Sequence, residues 1–260
     1  MIRKHQRLAL ALLAATMLGA AGAALANVMV EVPAPANILA AVADKARPEA
    51  DTKLDAERQA RQTLYFAGVK TGQKVVDLFP GGGYFTRLFS TAVGDGGHVY
   101  ALQPAELLAM RKVTADQATE KMNVKRANVT VLFQPAETPA APEPVDLVFT
   151  AQNYHDYHDP FLGPADLAKV NGAVFRMLKP GGLYVVIDHA APDGSGLAST
   201  NTTHRIDEAV VKKEVEAAGF KLIEEGTFLR NPDDKRDKLV FDPAIRHHTD
   251  QFVLKFRKPG

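Results

Sequence analysis

Short apolar runs and helical patterns alternate along this chain, and that alternation limits the folds open to it. Segments with helical periodicity lie between most of the apolar runs, the clearest being 84–93, 105–122 and 165–178. Continuous apolar strands separated by helices are typical of a parallel sheet that is covered on both faces. The pattern therefore predicts a doubly wound α/β domain whose first five strands are 74–79, 98–102, 129–133, 145–150 and 183–188.

The C-terminal part departs from this alternation. A helical segment at 205–219 is followed by two strand-like runs, 220–229 and 249–258, with only a charged turn between them. Two strands joined without a helix pair antiparallel. We therefore expect a seven-stranded, mostly parallel sheet with a C-terminal antiparallel hairpin.

The first residues have the organisation of a secretory signal peptide. A basic start precedes an apolar run, and small residues end at Ala26. We expect cleavage after Ala26 and a periplasmic or secreted protein; the alternative is an uncleaved membrane anchor, since the Ala-rich run is nearly long enough to span a bilayer. Residues 27–51 are rich in Ala and Pro and are expected to lead into the folded domain at 52–260 rather than to join its core.

A helix is expected at the start of that domain. Thr52 and Asp55 have the spacing of a capping box, and Gly68 suits a helix end. Arg47, Asp51, Asp55 and Arg58 have near-helical spacing around this segment; they could fold over a cofactor, but ordinary surface ion pairs are the expected role for them.

Composition excludes several classes of function. The net charge is +1 with scattered Lys and Arg, so nucleic acid is not an expected partner. The chain has no cysteine, which excludes disulfides, a thiolate nucleophile and a lipidated cysteine. The length suits one domain with a sizeable core, and the oligomeric state stays open.

A glycine-rich turn lies where the first strand passes into the next helix. In "DLFPGGGYFTRLF" (77–89), Gly81, Gly82 and Gly83 lack Cβ atoms, and the helix after them presents free N–H groups. Ligands of open parallel sheets bind beyond the carboxyl ends of the strands. The turn is therefore placed to hold a small polar ligand, or else it serves only tight packing of strand and helix.

Two phosphate-binding interpretations do not fit this turn. A nicotinamide cofactor requires a further glycine three residues on, where this chain has Thr86. A phosphate-loop NTPase requires Lys and Ser/Thr after the glycines, and neither follows at that spacing.

The turn resembles a known motif. Asp77 to Gly83 is similar to the first motif of the class I S-adenosyl-L-methionine (SAM)-dependent methyltransferases, and "LKPGGLYVVID" (178–188) is similar to the segment that forms their fifth strand. With "NYHDYHD" and the export signal, the chain resembles a poorly characterised group of exported predicted methyltransferases. The resemblance covers roughly residues 52–258 and implies a Rossmann-like methyltransferase fold, SAM as cofactor and a small, unidentified acceptor.

The resemblance also implies cofactor contacts. Gly81 and Gly83 would pass along the cofactor, and Asp77 would act on the methionine amino group directly or through water. Phe79 and Gln103 depart from the family pattern, since a glycine and an acidic residue are usual there; Phe79 would make the turn less open, and Gln103 offers the ribose only one acceptor oxygen. The other implied contacts are Pro80 and Gly82 in the turn, Glu106 and Glu137 as the nearest acidic substitutes, and Asn153.

The densest set of ionisable groups follows the fourth strand. In "TAQNYHDYHDP" (150–160) we expect His155 to act as a general base, with Asp156 or Tyr154 orienting it, because a neutral imidazole can take the acceptor's proton near pH 7. The alternative is that these side chains only cap the next helix in a solvated loop.

Other roles are open for this edge of the sheet. His155, Asp156, Asp188 and His189 could converge on a divalent metal, although no tight ligand spacing fixes a geometry. The loop 190–203 is a lid or a plain crossover. There are therefore two alternatives to a methyltransferase: a non-catalytic binding protein of the same fold in the cell envelope, or a metal-dependent enzyme.

Overall fold

The computed structural model describes residues 34–260, which contain one seven-stranded sheet. Its strand order is β3-β2-β1-β4-β5-β7-β6; the first five strands pair parallel, and β7 is antiparallel to both of its neighbours. This confirms the predicted doubly wound fold with its antiparallel C-terminal pair. The strands are β1 (Lys74–Leu78), β2 (His98–Pro104), β3 (Val129–Gln134), β4 (Val145–Ala151), β5 (Leu178–His189), β6 (Lys221–Gly226) and β7 (Gln251–Arg257).

Helices cover both faces of the sheet. They are α1 (Ala36–Val42), α2 (Glu49–Thr52), α3 (Ala60–Ala67), α4 (Tyr84–Val93), α5 (Glu106–Arg111), α6 (Ala115–Met122), α7 (Leu167–Met177), α8 (Thr200–Thr203) and α9 (Glu208–Ala217), with 3-10 helices at His155–His158 and Pro160–Leu162. Strand order reverses between β1 and β4, whose carboxyl ends therefore border the crevice of this fold.

The core has two halves, one on each face of the sheet. Neighbouring residues of a strand point to opposite faces. Val75 thus packs in one cluster and Val76 in the other, and Val185 and Val186 divide in the same way. All four side chains are fully buried, which explains why the central strands are continuously apolar in sequence.

Two predicted helices have different bounds in the structure. The helix expected over 52–68 begins only at Ala60, because residues 53–59 form turns and Gln59 adopts a left-handed backbone with φ 46°. The segment 105–122 forms two helices, broken where Lys112 has φ 53°. Thr114 starts the second helix through a capping box with Gln117.

The segment before residue 52 contributes to the core, contrary to our expectation of a lead-in. Ile38 and Ala41 of α1 are buried in the cluster that α3 and α4 share. Asn37 donates its amide to the carbonyl oxygens of Val69 and Ala92. The predicted signal peptide, residues 1–26, lies outside the described residues.

A long segment joins β6 to β7. We call residues 227–250 the β6–β7 segment; it holds Asp234, which forms a bidentate ion pair with the fully buried Arg205. Arg236 of the same segment pairs with Asp250 and Asp193. Buried charges need such partners, so these pairs fix the segment against the carboxyl end of β5. Within residues 34–260, no helix has the length and apolar character needed to cross a membrane.

Candidate active site

Two cavities open at the carboxyl edge of the sheet, on either side of the glycine turn. The β2 cavity, of about 570 Å³, is bordered by Gln103, Leu107 and Met122. The β4 cavity, of about 630 Å³, is bordered by side chains that follow β1, β4 and β5. Gly81 and Gly82 line both cavities, and a Cβ atom added at either glycine would meet nothing within 4 Å. The turn therefore presents open backbone to both sides.

The turn needs left-handed backbone at three positions. Gly81 and Gly83 have φ of 56° and 79°, and Phe79 has φ 60°, a conformation that favours glycine. The Phe79 ring is buried and meets the ring of Tyr157 edge to face at 6.0 Å. Phe79 replaces the usual glycine, but its ring packs in the core and does not cover the backbone of Gly81 and Gly82. The expectation that Phe79 makes the turn less open is therefore wrong at these two residues.

Asp77 lies at the end of β1, beneath the turn. Its carboxylate accepts a hydrogen bond from the Thr86 hydroxyl at 2.6 Å and borders the β4 cavity. Burial raises the pKa of Asp77 to about 7, although Thr86, Arg87 and Arg58 partly offset that effect. The carboxyl is therefore poised to lose its proton when a cation arrives.

Gln103 faces the β2 cavity with an acceptor oxygen. Its amide nitrogen donates to the carbonyl oxygen of Gly81 at 2.8 Å, and this bond assigns the two ends of the amide. The Oε1 atom is buried and has no hydrogen-bond partner among the described residues. A buried acceptor without a partner is costly, so this oxygen is suited to a hydroxyl of a bound ligand.

The structure does not bring Glu106 and Glu137 to the cavities. Both carboxylate oxygens of Glu106 accept from the backbone N–H of Ala136, which holds α5 against the loop after β3. Glu137 accepts from the backbone N–H of Asp166 and from the ammonium group of Lys169. Neither residue lines either cavity, so both predicted cofactor contacts are replaced by structural roles.

The charged residues around α2 form a buried network rather than the expected surface ion pairs. Asp51 pairs with Arg87 through two hydrogen bonds of 2.5 and 2.8 Å, and Asp55 pairs in the same way with Arg47. Two parallel hydrogen bonds between a guanidinium and a carboxylate fix the relative orientation of the two side chains. They hold the segment with Arg58 above the glycine turn, so the network positions one wall of the β4 cavity.

Arg58 presents a cation to this cavity. Its guanidinium lies over the ring of Tyr84 at 4.6 Å, and burial lowers its pKa although Tyr84, Asp51 and Asp77 oppose that effect. Among residues 34–260 its guanidinium forms none of the hydrogen bonds or ion pairs found for Arg47 and Arg87. A half-buried guanidinium at the wall of a cavity is suited to a carboxylate.

His155 is held by a neighbouring carboxylate. Its Nδ1 atom is 2.9 Å from Asp188 Oδ1, and its backbone N–H donates to Asp188 Oδ2. Burial alone would lower the pKa of His155, but Asp188, Asp156 and Asp159 raise it to about 9. The imidazole is thus protonated near pH 7 in the metal-free chain and cannot serve there as the general base that we expected.

His189 has the opposite electrostatics. It lines the β4 cavity, and its Nδ1 atom is 2.8 Å from the hydroxyl of Thr249. Burial, helped by the cations His155 and Arg205, lowers the pKa of His189 to about 3 although Asp188 opposes this. His189 is therefore neutral near pH 7, and so low a pKa makes it a hydrogen-bond acceptor rather than an effective general base.

Tyr154 points away from the cavity, which contradicts its predicted catalytic role. The side chain is fully buried, accepts a hydrogen bond from Asn171 and donates one to Glu214. Burial and the charge of Glu214 raise its pKa well above 10. Asp156 does line the β4 cavity.

Pro80 and Asn153 also border the β4 cavity. Asn153 donates its amide to the carbonyl oxygens of Phe79 and Ala151, joining the glycine turn to the end of β4.

The remaining wall of the β4 cavity comes from segments that sequence analysis did not assign to it. Residues 190–203, proposed as a lid, do not line it; Val240 and Phe241 of the β6–β7 segment do, together with His204. The His204 and Phe241 rings are 5.3 Å apart. The turn-rich sequence of this segment carries no periodic signal that would place it here.

Relatives of this chain among known proteins include quinone-biosynthesis C-methyltransferases. No family model matches the chain. The ubiquinone/menaquinone biosynthesis C-methyltransferase UbiE of Erwinia tasmaniensis is 28% identical over 204 residues, which is 75% of this chain and 68% of that protein. The enzyme of the same name from Pseudomonas paraeruginosa is 28% identical over 200 residues, covering 75% of this chain and 66% of that protein.

Solved structures share the fold. A SAM-dependent methyltransferase from Aquifex aeolicus superposes with a TM-score of 0.52 at 21% identity, over 81% of this chain and 98% of its own. A SAM-dependent methyltransferase from Mesorhizobium loti superposes with a TM-score of 0.55 at 16% identity, over 78% of this chain and 99% of its own. The glycopeptide N-methyltransferase MtfA, complexed with sinefungin, superposes with a TM-score of 0.50 at 15% identity, over 78% of this chain and 87% of its own. The resemblance to the class I SAM-dependent methyltransferases is thus confirmed in fold and in sequence.

Proposed function

We propose that this chain, which resembles the class I SAM-dependent methyltransferases, transfers a methyl group from SAM to a small acceptor in the β4 cavity. The relatives and the fold support a methyltransferase as its enzyme class. The observation that carries the proposal is the open turn at Gly81 and Gly82, which two cavities with different lining share.

The chemistry of the two cavities matches the two ends of SAM. The β2 cavity offers apolar side chains for a flat base and the unpartnered oxygen of Gln103 for a ribose hydroxyl. On the other side, Arg58 suits the methionine carboxylate and Asp77 suits its ammonium group. SAM supplies an electrophilic methyl group on a positively charged sulfur.

The β4 cavity also has room and chemistry for an acceptor. Phe161 and Phe241 line it, which favours a flat, partly apolar molecule. His189 is the neutral imidazole there, and we assign it the role of accepting a hydrogen bond from the acceptor molecule and so orienting it. That role needs the tautomer in which Nδ1–H donates to Thr249 and Nε2 carries a free lone pair.

Calorimetric titration of the full chain with SAM and with its demethylated product S-adenosylhomocysteine tests the proposal. We expect one molecule of each to bind per chain. Absence of binding for both at millimolar ligand would overturn the cofactor assignment. Binding without turnover on a panel of phenols, quinols and amines would leave a SAM-binding protein and remove the transfer step.

We also propose that the protein is exported, on the strength of residues 1–26 alone. Cell fractionation and mass measurement of the purified protein test this. A chain that begins at Asn27 in the periplasmic fraction is expected, and an uncut chain in the cytosol would contradict it. Export would require SAM to be supplied across the membrane, so the fraction in which the protein occurs also decides where methyl transfer takes place.

A further inference from the structure

We propose that His155, Asp156 and His204 bind a divalent transition-metal ion, with zinc as the best fit, in the wall of the β4 cavity. Each residue offers one ligand atom, and the three atoms lie within 4.8 Å of one another. The set differs from the one considered from sequence, because Asp188 and His189 are engaged elsewhere and His204 takes part. The inference does not depend on methyl transfer.

The separations of the ligand atoms match a tetrahedral ion. His155 Nε2 lies 3.2 Å from His204 Nδ1 and 3.3 Å from Asp156 Oδ1, and the third pair is 3.7 Å apart. An ion with bonds of about 2.0–2.1 Å to four tetrahedral ligands holds them about 3.3–3.4 Å apart. The three atoms therefore already form one face of such a polyhedron.

The surroundings of His155 prepare it as a ligand. Asp188 Oδ1 lies 2.9 Å from Nδ1, so the proton of the neutral ring is held at Nδ1 and the lone pair is left at Nε2. The same carboxylate accepts the backbone N–H groups of His155 and His189, which fixes its position. A carboxylate that orients a ligating histidine in this way is the usual outer partner at zinc sites.

Two further observations favour a cation at this place. Asp159 is completely buried, and neither of its oxygens has a hydrogen-bond partner among the described residues. The Thr200 hydroxyl interacts with this carboxyl and also donates to the carbonyl oxygen of Leu197 at 3.3 Å. Asp159 interacts electrostatically with both His155 and His204, so that with Asp156 and Asp188 three carboxylates surround the two imidazoles, and a dication would offset most of their negative charge.

His204 ends helix α8 in the left-handed conformation common at helix C-termini, with φ 54°. This conformation brings Nδ1 to within 3.2 Å of His155 Nε2.

The three ligands leave a coordination position for a small molecule. All three residues line the β4 cavity, and two histidines with one carboxylate and an open position are the pattern of a site that binds an exchangeable ligand. That ligand would be an oxygen donor such as a phenolate, an enolate or a water. The chain has no cysteine, so thiolates cannot compete for the ion.

Zinc titration of the untagged, chelator-treated full chain tests the site. We expect one Zn²⁺ per chain and a higher melting temperature with zinc. His204→Ala should weaken binding at least about tenfold, and Asp188→Asn by about 10- to 100-fold. His158→Gln is the matched control, since His158 belongs to the same 3-10 helix but pairs with Glu214; its zinc affinity should equal that of the parent chain.

Cobalt provides a readout that a loss of folding cannot imitate. Co²⁺ bound at a tetrahedral site absorbs strongly in the visible region, and these bands should be present in the parent chain and His158→Gln and absent from folded His204→Ala. The proposal is overturned if the parent chain binds no Zn²⁺ at 100-fold molar excess, or if folded His204→Ala binds zinc as tightly as the parent chain does.

Discussion

Asp77→Asn should stabilise the ligand-free protein at alkaline pH while it weakens ligand binding. Burial raises the pKa of Asp77 from the ordinary value of 3.8 to about 7. The folded state therefore holds a proton that the unfolded chain releases between pH 4 and pH 7. Stability is highest at the acid end of this window and is lost as the pH rises through 7.

The size of the effect follows from the pKa difference. A difference of about 3 pKa units at about 1.4 kcal/mol each means that ionised Asp77 costs the folded state about 4 kcal/mol at pH 8. Asparagine has no charge to bury, and its amide oxygen can still accept from the Thr86 hydroxyl, 2.6 Å from the native carboxylate. The stability difference between variant and parent should grow from near zero at pH 4 to a few kcal/mol at pH 8.

Urea unfolding at pH 4 to 8 without ligand measures this difference. Asp95→Asn, in an exposed turn, is the control and should leave the pH dependence of the parent chain unchanged. A stability difference between Asp77→Asn and the parent that is independent of pH, or an Asp77→Asn chain that is less stable at pH 8, would refute the reasoning. In the same samples the variant should bind SAM at least about tenfold more weakly, because it loses the charge that faces the ammonium group.

Four further substitutions separate ligand contacts from packing. Gly82→Ala should keep the melting temperature of the parent chain and lower the SAM affinity measured by calorimetry. Gly83→Ala should lower the free energy of unfolding in urea by about 2 kcal/mol or more, because its Cβ would lie 2.6 Å from Val124 and its φ is 79°. Equal melting temperatures for the two variants would contradict this. Arg58→Gln should weaken SAM about tenfold but leave methylthioadenosine, which lacks the amino acid, unaffected; equal losses for both ligands would exclude a carboxylate contact. Tyr154→Phe should lower stability by about 1–2 kcal/mol with unchanged turnover of a bound acceptor; a large fall in turnover at full folding would restore its catalytic role.

The sheet could be predicted because its signal is local. Each central strand is buried on both faces, so Val75 and Val76, or Val185 and Val186, are apolar side by side in the sequence. The antiparallel pairing of β6 with β7 could be predicted because the sequence has no helical segment between these two strands. The break in the segment 105–122 had a local signal as well, the capping-box pair Thr114 and Gln117, which the continuous helical pattern obscured.

The site was predicted less completely because it depends on which way side chains point. Tyr154 and His155 are adjacent, yet one faces the core and the other the β4 cavity. The pKa of the expected base, His155, is raised chiefly by Asp188, which is distant in sequence but lies against it, together with Asp156 and Asp159. Composition could not show that Arg47 pairs with Asp55 while Arg58 has no ion pair within residues 34–260, since that depends on how the segment before α3 folds.

The β6–β7 segment gives the two halves of the crevice separate origins. The glycine turn and the β2 cavity are built from the continuous α/β scaffold, whereas Val240 and Phe241 come from an excursion anchored by the Arg205–Asp234 pair. Residues beyond that anchor can vary in sequence without disturbing the sheet. Sequence changes confined to residues 239–248, whether natural or made in the laboratory, are thus expected to alter which acceptor binds in the β4 cavity. The glycine turn and the β2 cavity, which would hold SAM, would stay unchanged.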